Sequence, residues 1–194
     1  MESSEARQPI SPADYSAFYD ALFASLHPEY GHPDPLTLTS IVGFDCGGPV
    51  SLNTFGRGQG APITTYVTCE LAVRDDQVPS DSGCFELLVT TNDEAWARDV
   101  IDSIAGMSLA ATFGLGHTVD VGPSVAKDHP LQGVFFDFPV TFEFGGFTHA
   151  VFPLIGMFRA EMEFARAHGV EALKQRLIAA GIHPRSIANR TSVV

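Results

Sequence analysis

Cys46 stands between Asp45 and Gly47-Gly48, a thiol beside glycines whose amides could turn towards an oxyanion. Thiol catalysis also needs a histidine as base and a lowered pKa, and none of the seven histidines stands at a spacing that nominates it. His27 and His32, with Glu29 and Asp34, place four possible metal ligands within eight positions. Pro28, Pro33 and Pro35 make that segment a loop rather than a ligand-bearing helix face, so solvated histidines are the reading it favours. Gly122-Pro123-Ser124-Val125-Ala126 approximates a nucleophile elbow, but Lys127-Asp128-His129-Pro130 opposes the helix an elbow must open. Gly56-Arg57-Gly58-Gln59-Gly60 lacks phosphate-loop spacing and leads into a strand. Glu161 and Glu163 lie two apart on an expected helix and diverge, and Glu143 alternates with Phe142 and Phe144 on an expected strand. No constellation demands catalysis, so no catalytic residue, cofactor or metal site is assigned.

The elements that would position these residues follow from hydrophobic periodicity. Residues 1–10 read as a disordered lead. Ser11 as cap, Pro12 at the first helical position and an apolar face of Tyr15, Phe18, Tyr19, Leu22, Phe23 and Leu26 predict a helix over 11–27, ended by His27-Pro28. From residue 36 the period changes to two. Strands are expected over Leu36–Ile41, Val50–Phe55, Ile63–Val73 and Cys84–Thr91, joined by glycine- and aspartate-rich turns, which suggests an antiparallel meander. Asn92 caps a helix with Trp96, Val100, Ile101 and Ile104 inward. Strands follow over Thr118–Val121, Gly133–Phe138 and Thr148–Leu154, then helices over Gly156–His168 and Val170–Ala180, the second with Leu173, Leu177 and Ile178 inward. Sheet and helices thus occupy 36–181, with a tail over 182–194, in a single domain spanning 1–194.

The charge is lopsided. There are 11 Lys and Arg against 23 Asp and Glu, net −12, and residues 1–100 carry 15 of those acids with only 4 bases. Polyanion binding needs clustered basic side chains, so nucleic acid and an anionic membrane surface are excluded as partners. No apolar run reaches the ~18 residues of a spanning helix, and the acidic Met1-Glu2-Ser3-Ser4-Glu5 is no secretory signal. Cys46, Cys69 and Cys84 form no disulfide framework, which suits a reduced, cytoplasmic protein.

Eight phenylalanines crowd residues 135–158. Alternation puts Phe136 and Phe138 on one face of a strand and Phe135 on the other, as in a central strand covered on both sides; an exposed Phe135 would instead anchor a partner.

The run Cys84-Phe85-Glu86-Leu87-Leu88-Val89-Thr90-Thr91-Asn92-Asp93 with Trp96 resembles a strand-then-helix segment of the suppressor of fused family. Gly116-His117-Thr118-Val119, Gly133-Val134-Phe135-Phe136, Phe152-Pro153-Leu154-Ile155 with Glu161, and the ending Asn189-Arg190-Thr191-Ser192-Val193-Val194 are similar to further segments of that family. The resemblance covers roughly residues 63–194 and includes bacterial single-domain members. It implies a mixed α/β domain, a central, largely antiparallel sheet with helices packed against it. It also implies a non-enzymatic protein-binding module, of the kind that serves bacteria as an immunity protein against a toxin. With the acidic first half, the expected partner is a basic toxin, met by Asp75, Asp76 and Asp81 on one turn. A cysteine- or histidine-dependent hydrolase and a self-associating regulatory or structural subunit are the alternatives.

Overall fold

A computed structural model describes residues 12–35, 39–42, 50–56 and 62–194. The lead over 1–10, the Ser11 cap, the Cys46 turn and Arg57–Gly60 lie outside the described residues.

Helix α1 (Pro12–Tyr30) runs three residues further than the sequence predicts, through Pro28. In the last turn a proline forfeits little of the hydrogen-bond ladder. The helix stops at Gly31, whose left-handed φ of 75° lets its amide reach the His27 carbonyl at 2.9 Å. The strands are β1 (Thr39–Val42), β2 (Val50–Phe55), β3 (Thr64–Cys69) and β4 (Phe85–Thr91), then, after helix α2 (Glu94–Met107), β5 (Thr118–Asp120), β6 (Leu131–Phe136), β7 (Val140–Phe144) and β8 (Phe147–Phe158). Helices α3 (Arg159–His168) and α4 (Val170–Ala179) follow.

The expected meander is present: β1 to β4 are antiparallel neighbours in chain order. The parallel pair is β4 with β8, joined by a crossover that contains α2. Strand β8 is longer at both ends than expected and continues through Pro153 and Gly156. Along its other side lie β6, paired to its second half, and β7, paired to its first half. Strands β6 and β7 are one antiparallel partner, interrupted at Asp137-Phe138-Pro139. The strand expected around Phe142, Glu143 and Phe144 is β7, for which alternation sets no bounds. Its turn to β8 is Gly145-Gly146, both at positive φ as a two-residue hairpin requires.

Strand alternation assigns the two faces. Phe85, Leu87, Val89, Phe136, Phe152 and Leu154 pack with Trp96, Val100, Ile101 and Ile104 of α2. Val67, Cys69, Leu88 and Val151 point the other way and pack with Phe18, Leu22 and Leu26 of α1. Phe135, Ile155 and Met157 lie under Met162 of α3 and Leu173 and Leu177 of α4. Phe135 is therefore core, as a strand covered on both faces requires. Ile178, expected inward, is exposed, because the helical repeat places only Leu173 and Leu177 over the sheet. The helix expected from Gly156 starts at Arg159, and the cap of α2 is Asp93 rather than Asn92, its carboxylate accepting from the Trp96 amide at 3.0 Å.

The last residues are woven into this core. Ser186 is fully buried between β4 and β8. Its amide donates to the Thr90 carbonyl at 2.7 Å, its carbonyl accepts from the Thr91 hydroxyl at 2.6 Å and its Oγ accepts from the Gly156 amide at 2.7 Å. A Cβ on Gly156 would come within 2.8 Å of Leu131, 2.9 Å of Trp96 and 3.1 Å of Ser186, so the strap fits only against glycine.

Candidate functional site

Where β6 gives way to β7, the chain makes a small, well-fixed prominence. The Asp137 amide donates to the Pro153 carbonyl at 2.9 Å and keeps the backbone on β8 through the break. The Asp137 carboxylate is buried. Lys174 of α4 binds its Oδ1 and His183, beyond α4, its Oδ2, each at 2.5 Å. Burial pushes the Asp137 carboxyl up, but hydrogen bonds from Lys174, the Phe138 amide and His183, with the Lys174 charge, outweigh it and hold the group below its ordinary 3.8. Tyr30, at the end of α1, has its phenol pushed well up by burial, then by Glu29 and more weakly by the Asp137 charge.

Phe138 follows directly and faces solvent, 63% exposed, with Lys174 Nζ 4.8 Å from its ring centroid. Alternation would have buried it beside Phe136; the break reverses it. Pro139, visible in the sequence, is the signal for that break, since it has no amide to give to the ladder. The backbone beyond is an open edge. Residues 116–120 cover the outer side of β6 as far as Phe136, where Gly116 N donates to the Phe136 carbonyl at 2.8 Å and Phe136 N to the His117 carbonyl at 2.9 Å. Leu115, also exposed, adjoins that last contact. From there to Phe144 the outer edge of β7 pairs with no strand among the described residues. A strand edge unpaired among the described residues, beside an exposed aromatic, can bind an extended peptide.

The aspartates singled out in the sequence lie in the loop between β3 and β4. Asp75, Asp76 and Asp81 are all exposed. Arg74 forks onto Asp76 with two bonds of 2.8 Å, and that contact holds the Asp76 carboxyl below its ordinary range. The bare charge therefore sits on Asp75 and Asp81. Gln77, buried beneath the loop, exchanges two 2.8 Å bonds with the Phe85 backbone and fixes its shape. The end of the loop rests on the β7–β8 hairpin: a Cβ on Gly83 would lie 2.3 Å from the Thr148 carbonyl, and Thr148 pairs with Glu143. Acidic loop and open strand thus meet at one end of the sheet, on opposite sides of β8.

The other candidates separate. The His27 and His32 rings lie 4.3 Å apart, but among the described residues no three His, Cys, Asp or Glu side chains converge as metal ligands. Ser124 Oγ faces Ser103 Oγ at 2.9 Å, with no histidine between them. Cys69 is buried in the α1-facing core, where desolvation, then the Glu86 charge, pushes its thiol well up and disfavours the thiolate a nucleophile needs.

Prediction for the clasp: Asp137→Asn removes two charge-assisted bonds and lowers stability near neutral pH by about 2 kcal/mol. Because the native carboxyl is held low, that stabilisation is present above the ordinary value of 3.8 and is lost as the pH falls below it. Urea unfolding of wild type and variant should therefore differ at pH 7 and converge in strong acid.

No helix among the described residues is long and apolar enough to cross a membrane. The family model of the suppressor of fused protein matches residues 40–189. Comparison with curated proteins finds no match. Among solved structures, a suppressor of fused homolog from Neisseria gonorrhoeae FA 1090 superposes with a TM-score of 0.61 at 18% identity, over 92% of this chain and 98% of that one. A chain of the Sufu–Fu complex superposes at 0.62 and 14% identity, over 93% and 92% of the two chains. Drosophila Suppressor of Fused superposes at 0.62 and 13% identity, and there the match spans 51% of the longer chain. The mixed sheet with its helices is therefore the suppressor of fused fold, as the resemblance implies. With the family model matching more than three quarters of its length, the chain belongs to the suppressor of fused family.

Proposed function

We propose that this chain is a non-enzymatic, cytoplasmic protein-binding module of the immunity type, which neutralises a basic toxin by occupying its surface. The observation that carries the binding role is Phe138, exposed on a clasped break beside the unpaired edge of β7. An extended segment of the partner adds to β7, and Phe138 anchors it. Asp75 and Asp81, with Asp76 partly neutralised by Arg74, steer the encounter from the same end of the sheet. That one solved relative is a chain of a complex between Sufu and Fu supports a protein as partner.

The test is affinity capture with the product of a neighbouring toxin gene, followed by calorimetry. Phe138→Ala should weaken binding by ~30-fold or more, the scale of an aromatic hot spot, without changing the unfolding midpoint. Asp75→Asn with Asp81→Asn should slow association several-fold at low salt and leave dissociation unchanged. An unchanged affinity in the Phe138 variant removes β7 as the interface, and an association rate indifferent to salt removes the steering.

A further inference from the structure

On the α1 face of the sheet, two carboxyl groups are built into one joint with no cation bonded to them among the described residues. Glu86 of β4 is fully buried. Its Oε2 accepts from the Thr68 hydroxyl at 2.5 Å and its Oε1 from the Ala72 amide at 2.8 Å, so it closes the turn that leads from β3 into the acidic loop. Thr68 Oγ1 is itself engaged by the Leu87 amide at 2.8 Å. Glu70, in that same turn, adopts φ 81°, and no other non-glycine residue among the described ones has a positive φ. A left-handed backbone is disfavoured for a residue with a Cβ, and here it accompanies a carboxylate turned towards Ser51 and Tyr19. Glu70 Oε2 accepts from the Ser51 amide at 2.8 Å and Oε1 from the Tyr19 hydroxyl. One side chain therefore ties α1 and the start of β2 to the root of the loop that carries Asp75, Asp76 and Asp81.

We propose that the Glu70–Glu86 pair retains a proton in the folded chain, so that the seating of α1 and of residues 70–84 on the sheet is proton-dependent. Two neighbouring carboxylates, Glu86 fully and Glu70 partly buried, with no Lys or Arg among the described residues bonded to either, cannot both hold their charge without a large desolvation cost. Burial pushes Glu70 up to about 7 against the pull of the Ser51 amide. Burial pushes Glu86 up to about 8, opposed by Thr68 and Ala72 and reinforced by the Glu70 charge. Tyr19 of α1 and Cys69 of β3 also face this joint, and His149 of β8 lies on the same face among Phe18, Phe142 and Phe144. The β2 side presents the Ser51 amide.

The direction follows from the raised values. Between the ordinary 4.5 and the native 7 to 8, the folded chain binds more protons than the unfolded one, so the stability of the joint is complete at the acid end of that window and is lost as pH rises through it. At neutral pH the joint is therefore part-way through its titration, and a modest alkaline shift loosens α1 and the acidic loop together.

Hydrogen exchange of the full chain, measured from about pH 5.5 to about pH 9 and corrected for intrinsic exchange, tests this. The opening constant of α1 and of residues 70–84 should rise towards ~10-fold per pH unit for each proton released, while α3 and α4 stay flat. Glu86→Gln, which keeps the acceptor for Ala72 and cannot ionise, should remove most of that slope and protect α1 at the alkaline end. Uniform behaviour of α1 and α3 across the range overturns the proposal, as does an unchanged slope in a folded Glu86→Gln chain. If that variant does not fold, carboxyl-carbon NMR of wild type decides. Two glutamates titrating above about pH 6 uphold the proton-holding pair, and all glutamates titrating near their ordinary values dismiss it.

Discussion

Replacing Arg190 by alanine is expected to cost about 3–5 kcal/mol of stability, the largest effect of any single exchange outside the apolar core. The Glu161 carboxylate is fully buried at the start of α3, and four donors fill it. The Arg190 guanidinium forks onto its two oxygens at 2.5 and 2.7 Å, the Phe158 amide donates at 2.9 Å and the Val193 amide at 3.1 Å. The guanidinium also lies 4.5 Å over the Phe158 ring. Losing it leaves an uncompensated charge in the interior and frees the strap that holds Ser186 between β4 and β8. Arg190→Lys should recover only part of the loss, because an ammonium cannot make the fork. Glu161→Leu combined with Arg190→Met should be milder than Arg190→Ala alone, since removing both charges removes the desolvation cost as well. Urea unfolding of wild type, these three variants and the single exchanges Glu161→Leu and Arg190→Met gives the comparison. Additive single and double effects would show that the pair does not act as a unit.

Trp96→Ala should destabilise by about 3–5 kcal/mol through the cavity it leaves. The indole is buried beneath α2, stacks on His129 at 5.8 Å and donates from Nε1 to the Leu131 carbonyl at 3.1 Å. It also forms part of the wall against which Gly156 is packed. One side chain therefore joins the crossover helix to β6, to β8 and, through Ser186, to the C-terminal strap. Trp96→Phe keeps most of the apolar contact and forfeits the Leu131 bond, so it should cost only about 1–2 kcal/mol more than wild type. As the chain has a single tryptophan, unfolding of wild type can be followed by its emission and that of both variants by circular dichroism. Equal losses in the two variants would place the contribution in the hydrogen bond rather than in the packing.

Both predictions concern residues present in the sequence reading whose partners were not. Glu161 and Arg190 each stood in a segment that resembles the family, yet they are 29 residues apart and nothing in local periodicity pairs a helix start with a tail. Phe138 was legible as aromatic and as part of a strand, and alternation gave it the wrong environment, because Asp137 is drawn aside by Lys174 and His183 from beyond β8. The end of α1 and the start of α3 were misplaced for a similar reason. Pro28 and Gly156 break secondary structure in isolation, but a last helical turn tolerates the first, and a strap whose Ser186 hydroxyl accepts from the Gly156 amide accommodates the second.

What the sequence determined by itself is whatever depends on neighbours along the chain. Period-two runs and turn residues set the β1–β4 meander, the stripe from Trp96 to Ile104 set the buried face of α2, and an apolar strand on both faces made Phe135 core. The diffuse segments from Cys84 to Val194 carried the family resemblance. Tertiary structure alone decided which groups share a site. It paired β4 in parallel with β8, broke the partner strand at Asp137 to leave Phe138 in solvent, neutralised Asp76 with Arg74, and brought Glu70 and Glu86 near one another with no cation bonded to them among the described residues. The reason is physical. A hydrophobic period is repeated along the chain and survives in one dimension, whereas desolvation, ion pairing and an open strand edge are properties of distances between residues remote in sequence, which exist only once the chain has packed.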